Sequence, residues 1–418
     1  MTTRRNFLGY AATAVGAMPF AGAALAQTSS STSSSGSASN AAPKAAASAA
    51  SGYGASTANK ELDIVSLPRL KDDFKAAIPK AGYVFVTGAK GDEWTLRENR
   101  RAMEDFRIMT HRLTGVSADN IDLSVEILGQ KLPFPFFVAP MGAHRMVHEE
   151  GEVATARGAG MAGALYCSSG ASNKTLEQIA EATTGPKWFQ LYFNQDVNVT
   201  KSLLRRAKDA GYSAIVLTAD ALGPGTPDEF RAMGMPFRSD MTFGNHDPAF
   251  GGTGNFLDQK ADLTPDDIKM IKDETGLPVI VKGILRGEDV DPIIAAGADA
   301  IQVSNHGGRQ IDGVPGAISA LPLVAKAVDG RVPVIMDSGI RRGIDVIRAL
   351  AMGATCVAVG RPVLYGLGVG GAKGVQSVLE SLANELRSDL LLTGARSMAD
   401  LDPSYISMTG ASAEMQKG

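Results

Sequence analysis

The sequence predicts a (β/α)8 barrel, the TIM-type fold, on three observations. After Pro135 one unit recurs eight times: a short apolar run, in most cases with an end containing Gly or Ser, then a helical pattern. The apolar runs are continuous rather than alternating, as in parallel strands covered on both faces. Polar and reactive residues gather at the C-terminal ends of those runs, which in such a barrel share one mouth. A doubly wound open sheet is the alternative, but it does not require eight units.

The strand candidates are "PFFVAPMG" (135–142), "ALYCSS" (164–169), "WFQLYF" (188–193), "AIVLTAD" (214–220), "PVIVKG" (278–283), "AIQVSNHGG" (300–308), "VPVIMDSG" (332–339) and "CVAVGRP" (356–362). Helical patterns lie between them, among them 198–211, 265–276 and 343–354, each closing on a Gly- or Ala-rich stop. Residues 221–263 break the rhythm with a long glycine-rich insertion after the fourth strand. A connection of that length is usually a lid or binding loop, and a mobile cover over the mouth is expected.

Upstream, paired Arg4 and Arg5, then Phe7-Leu8, a weakly apolar stretch and Ala24-Leu25-Ala26 resemble a twin-arginine signal cleaved after Ala26. That expectation makes the Tat export machinery a partner and the periplasm the destination. Residues 27–60 are Ser, Ala, Gly and Thr with few charges, a composition expected to form a flexible linker, with order beginning near Leu62 and the barrel domain filling 61–418. The 418 residues carry a formal charge of −3, which gives no electrostatic footprint for nucleic acid. Cys167 and Cys356 sit in apolar runs and read as buried thiols, and no Cys/His grouping has metal-ligand spacing, so no metal is expected.

At the strand ends, Gly360-Arg361 and "DSGIRRG" (337–343) place backbone N–H groups and arginines where barrels commonly bind phosphate. Lys282, closing a buried strand, needs a partner: a Schiff base or a cofactor's negative charge suits it equally. His306 has a candidate orienting acid in Asp220, an arrangement that leaves one imidazole nitrogen as a base. Arg309 is suited to a substrate carboxylate, and the glycines between allow close approach of a ligand.

These residues resemble the FMN-dependent α-hydroxy-acid oxidases and dehydrogenases, such as glycolate oxidase and lactate oxidase. The resemblance rests on "SNHGGRQ", "GAKGDEWTLRENRRAMEDF" (88–106), "LTAD", "VKGI", "RVPVIMDSGIRRGIDVIRALAMGA" and "VAVGRPVLYGL", in order, and spans Leu62 to Asp402. It implies FMN as cofactor, His306 as the base, Asp220 as its orienting acid, and Lys282 beside the flavin ring rather than in a Schiff base. Pro140, Met141, Gly142, Ser169, Gln190, Thr218 and Ser304 would then surround the ring and ribityl chain. Asp337, Ser338, Gly339, Ile340, Arg341, Gly360 and Arg361 would hold the ribityl hydroxyls and phosphate, with Arg309 and Tyr192 facing substrate. The resemblance further implies a small-molecule substrate, O2, a quinone or a cytochrome as electron acceptor, and a homo-oligomer, commonly a tetramer.

Several substrate-facing positions depart from the family pattern. Its N-terminal tyrosine is replaced at Val84 or Phe85, and its lid arginine, seven residues after Asp220, is Pro227, leaving Arg231 as the nearest substitute. Ala171 stands where an aromatic is usual, and Gly142 where oxidases often have alanine, which is expected to leave extra room. A substrate larger or less anionic than glycolate or lactate is therefore expected. The alternatives are an FMN-dependent isomerase on the same barrel, or a flavin-binding homologue without hydroxy-acid activity.

Overall fold

The computed structural model describes residues 53–417 apart from 224, so the twin-arginine stretch and most of the expected linker lie outside the described residues. Eight parallel strands close into a barrel: β1 (Phe136–Val138), β2 (Tyr166–Ser169), β3 (Lys187–Leu191), β4 (Ile215–Thr218), β5 (Val279–Ile284), β6 (Ala300–Val303), β7 (Val334–Met336) and β8 (Cys356–Val359). Each expected run supplies one strand. Closure comes from β8 pairing with β1, with Val357 opposite Phe136 and Val359 opposite Val138.

Period-two geometry sorts the apolar residues into two cores. Phe137, Cys167, Trp188, Val216, Ile280 and Cys356 point inward and fill the barrel, with Phe137 edge-on to Trp188 at 5.1 Å. Ile127 and Leu132, from an antiparallel hairpin of Val125–Ile127 and Gln130–Leu132, complete that inner core. Phe136, Tyr166, Phe189 and Ile215 point outward into the helix layer. Burying a thiol disfavours its charged form, so both cysteines are held well above the usual thiol range.

The helices begin where local chemistry caps them. Pro265–Thr275 opens with a reciprocal Thr264–Asp267 capping box and Pro265 in its first turn, and it stops at Gly276 in the left-handed region. Val197–Asp209 starts at Asp196, whose side chain accepts from Asn198 N, and it buries Val199, Leu203, Leu204 and Ala207. Before the barrel, three short helices, Leu70–Ala77, Lys80–Thr87 and Trp94–Arg101, carry the chain toward the mouth.

One expectation needs correction. Order does not wait for Leu62: the segment from Tyr53 lies along the barrel domain. Ser56 N donates to Val147 O, Glu149 N to Ser56 O and Lys60 N to Gly370 O, so its backbone is satisfied as a strap rather than left to water. The insertion after β4, expected as a mobile cover, is tied to the barrel domain along 238–256. Arg238, its side chain fully buried, bonds Glu149 and Asp240, each at 2.9 Å. Asp240 also reaches Arg145 at 2.7 Å, Asn245 accepts from Leu176 N, and Phe243 stacks on Phe256. The sequence displays the glycines of this insertion, but not the distant partners of its arginine and asparagine.

Candidate active site

The mouth is built from strand ends. Asp220 follows β4, Lys282 lies within β5, and His306 stands three residues after β6. His306 Nδ1 lies 2.9 Å from Asp220 Oδ1. Because an ionised carboxylate only accepts, this contact places the proton on Nδ1 and leaves Nε2 with a lone pair. Lys282 Nζ stands 3.7 Å from Asp220 Oδ2 and 3.9 Å from Asp337 Oδ2. Burial alone would raise the pKa of Asp220, but Lys282 and His306 together hold it down at about 2. Gly283 is required here, since a Cβ would meet Asp220 Cβ at 2.5 Å.

The backbone that presents the imidazole is strained. His306 has φ 57° and Ser338 φ 73°, both in the left-handed region that L-residues avoid. Hydroxyls hold the turn: Ser304 Oγ accepts from His306 N at 3.0 Å, and Ser338 Oγ accepts from Gly307 N at 3.0 Å. Both hydroxyls donate to Asp337 Oδ1, at 2.8 and 2.6 Å. Asn305 exchanges two amide hydrogen bonds with Asn99, at 2.8 and 2.7 Å. Asn99 lies in helix Trp94–Arg101, whose first N–H groups are capped by Asp312, just beyond the histidine loop. Sequence reasoning did not single out Asn99 or Asp312. Asn99 sits in the quoted block at 88–106, but its pairing with residue 305 has no local signal.

A second polar chain crosses three strands on the other side. Ser169 Oγ donates to Gln190 Oε1, and Gln190 Nε2 donates to Thr218 Oγ1, both at 2.8 Å. Beyond β1, Met141 Sδ lies against Gly360, and Pro140 is half-buried. The expected extra room at Gly142 is absent. A Cβ there would fall 2.7 Å from both Ala171 Cβ and Ala171 O, so the small residue at 171 has let its loop close onto the glycine.

Three arginines converge on the mouth, and none is ion-paired with a carboxylate among the described residues. Arg309 Nη1 donates to Phe85 O at 2.7 Å and Gly88 O at 3.3 Å, with its guanidinium 4.9 Å from the Phe85 ring centroid. Arg361 donates to Val86 O, Gly307 O and Gly88 O, each at 3.0 Å. Arg341 donates to Ile340 O. The Ile340 side chain itself is buried in the core, so only its backbone serves the site. Burial lowers Arg309 to about 10, and burial together with neighbouring Arg341 and Arg309 lowers Arg361 to about 9. Cations placed this way are ready for anions.

Phe85 lies on helix Lys80–Thr87, and its ring packs edge-on against Phe230 at 5.4 Å and Phe237 at 5.7 Å. Tyr192, across the mouth, packs edge-on with Phe256 at 5.5 Å, and burial raises its hydroxyl above the usual range. Pro227 is buried against Gly88. The structure does not bring Arg231 to this group. In the one-turn helix Asp228–Ala232, Phe230 takes the inward face and Arg231 is exposed to solvent.

Comparison with known proteins finds relatives along the whole barrel. Residues 74–408 match the family model described as FMN-dependent dehydrogenase. L-lactate oxidase of Lactobacillus jensenii is 40% identical over 356 residues, covering 84% of this chain and 87% of that protein. Glycolate oxidase of Spinacia oleracea is 38% identical over 356 residues, covering 82% and 96%. A crystal structure of Pediococcus acidilactici lactate oxidase superposes with a TM-score of 0.81 at 40% identity, covering 86% of this chain and 99% of that one. A mandelate oxidase with (S)-2-phenylpropionate gives a TM-score of 0.76 at 35% identity, covering 83% and 98%.

Proposed function

The chain belongs to the FMN-dependent dehydrogenase family, and from that premise we propose that it dehydrogenates the CH–OH carbon of a 2-hydroxy acid or related alcohol to the 2-oxo product. It is an FMN-dependent oxidoreductase. The residues present suit that cofactor. Arg341 and Arg361 are buried cations that form no side-chain ion pair within 4 Å among the described residues, which fits a phosphate. Ser169, Gln190, Thr218, Ser304 and the 337–341 backbone offer polar groups around the mouth. Gln302 Oε1, buried and without a partner among the described residues, offers an acceptor to a ligand hydroxyl.

Bound FMN, held by Arg341 and Arg361 at its phosphate, would supply the two-electron acceptor for the substrate C–H bond. The chain does the rest. His306 takes a proton from substrate at Nε2, the nitrogen that Asp220 leaves free. Asp220 stabilises the imidazolium that results, and Lys282 holds a fixed positive charge beside the reacting group. Arg309 and Tyr192 orient the substrate. The single observation that carries this reading is the 2.9 Å His306–Asp220 contact at a strained strand end beside Lys282.

The substrate is other than plain glycolate or lactate, because Pro227 and the Val84–Phe85 pair stand where two carboxylate-binding groups are expected. The oxidase relatives favour O2 as the final acceptor over a quinone or cytochrome. Anaerobic titration of the holoenzyme with a panel of 2-hydroxy acids tests the function: bleaching of the oxidised flavin band supports it. A flavin that dithionite reduces and no hydroxy acid does would instead favour the homologue that has lost this chemistry.

We further propose that the enzyme is exported folded, with FMN loaded, through the twin-arginine route to the periplasm, and that it assembles as a homotetramer. Arg4, Arg5 and the Ala24-Leu25-Ala26 site support export. A reporter fused after residue 60 that stays cytoplasmic, or reaches the periplasm equally well with both arginines changed to lysine, contradicts it. Sedimentation analysis tests the tetramer, and a monomer throughout the micromolar range contradicts it.

A further inference from the structure

We infer that the substrate is a 2-hydroxy monocarboxylate bearing an aromatic or extended apolar group at C2, an inference that rests on the function proposed above. The first argument is charge. Lys282 already has Asp220 and Asp337 within 4 Å. Arg341 and Arg361 are matched to the cofactor's phosphate. That leaves Arg309, whose side-chain hydrogen bonds among the described residues go to the carbonyls of Phe85 and Gly88. A deeply set cation with neutral partners has room for one negative charge. A second carboxylate, or a phosphate, would meet no further unpaired cation at the mouth among the described residues, since Arg231 faces solvent and Pro227 fills the place beside Gly88. Dicarboxylic and phosphorylated hydroxy acids are thereby disfavoured.

The second argument is the wall beside that cation. Phe85 lies under the Arg309 guanidinium and packs with Phe230 and Phe237. Phe230 is fully buried, whereas Phe237 is 36% exposed, so the aromatic surface runs from Arg309 out to solvent. Tyr192 and Phe256 form a second aromatic pair at the mouth. Such walls give dispersion and apolar burial but few hydrogen bonds. A methyl-sized C2 group leaves them wet, whereas each further buried methylene improves binding roughly fourfold. A preference of tenfold or more for an apolar acid over lactate follows from only two or three such groups.

The test is anaerobic stopped-flow flavin reduction of the holoenzyme by lactate, malate, 2-hydroxyoctanoate and 3-phenyllactate. It is paired with binding of the non-reducible 3-phenylpropanoate and acetate, read as perturbation of the flavin spectrum. The expected result is that 2-hydroxyoctanoate or 3-phenyllactate exceeds lactate at least tenfold in reduction rate over dissociation constant, with malate the poorest. Phe85→Ala and the more exposed Phe237→Ala should each narrow the apolar-to-lactate ratio and the 3-phenylpropanoate-to-acetate binding ratio. Lactate or malate reducing the flavin best would overturn the substrate class while leaving the 2-hydroxy-acid reading intact. If no hydroxy acid reduces a flavin that dithionite reduces, both fall.

Discussion

His306 Nδ1 lies 2.9 Å from Asp220 Oδ1, across the ends of two barrel strands and 86 positions apart in sequence. This contact decides which imidazole nitrogen is available as a base; against burial, the Lys282 charge first and the His306 hydrogen bond beside it hold the Asp220 carboxyl near a pKa of 2.

Asp220→Asn is expected to lower the flavin-reduction rate by about 10²–10⁴, the usual worth of a positioned acid–base group. Because the folded pKa is depressed below the ordinary 3.8, the carboxylate adds stability above pH ~4 that is lost as pH falls through about 2. Denaturant unfolding at pH 7 and at pH 3 measures this. The stability gap between the parent and Asp220→Asn should shrink on acidification, and a gap that widens contradicts the assignment.

Gly142→Ala places a methyl 2.7 Å from Ala171 Cβ and O. Overpacking of that kind costs roughly 1–3 kcal/mol. Thermal unfolding of the holoenzyme should show the loss, and the added substitution Ala171→Gly should recover only part of it because the carbonyl remains. A Gly142→Ala protein as stable as its parent would mean the two loops are not in contact.

Arg231→Ala should leave the KM and kcat of the best substrate within about twofold, because an exposed lid arginine contributes little to a pocket it does not face. Steady-state kinetics at low and moderate salt check this. A large rise in KM would show that the lid turns Arg231 inward during turnover.

The barrel was legible because its signal is local. Most strands are short apolar runs ended by Gly, Ser or a charged residue, and His306, Lys282 and Asp337 fall at or just past those ends. Long-range relationships were less legible. Phe85 and Arg309 meet across 224 positions, and Asn99 and Asn305 across 206. Neither pairing follows from periodicity or capping. The Tyr53 strap was hidden by its small, polar composition, which suits an extended chain held by backbone bonds as well as a free linker. At Gly142 the residue types suggested space, but a glycine facing an alanine in a close-packed wall lets the backbones approach instead.

The central claim is that His306 is the base of a 2-hydroxy-acid dehydrogenation at this mouth. The measurement that tests it most directly is anaerobic flavin reduction by the best acid of the panel, comparing the parent holoenzyme with His306→Ala at equal FMN occupancy. The account predicts rapid bleaching in the parent and a rate at least 10² lower in the variant, with dithionite reducing both alike. Equal reduction of the two proteins by the hydroxy acid would contradict it.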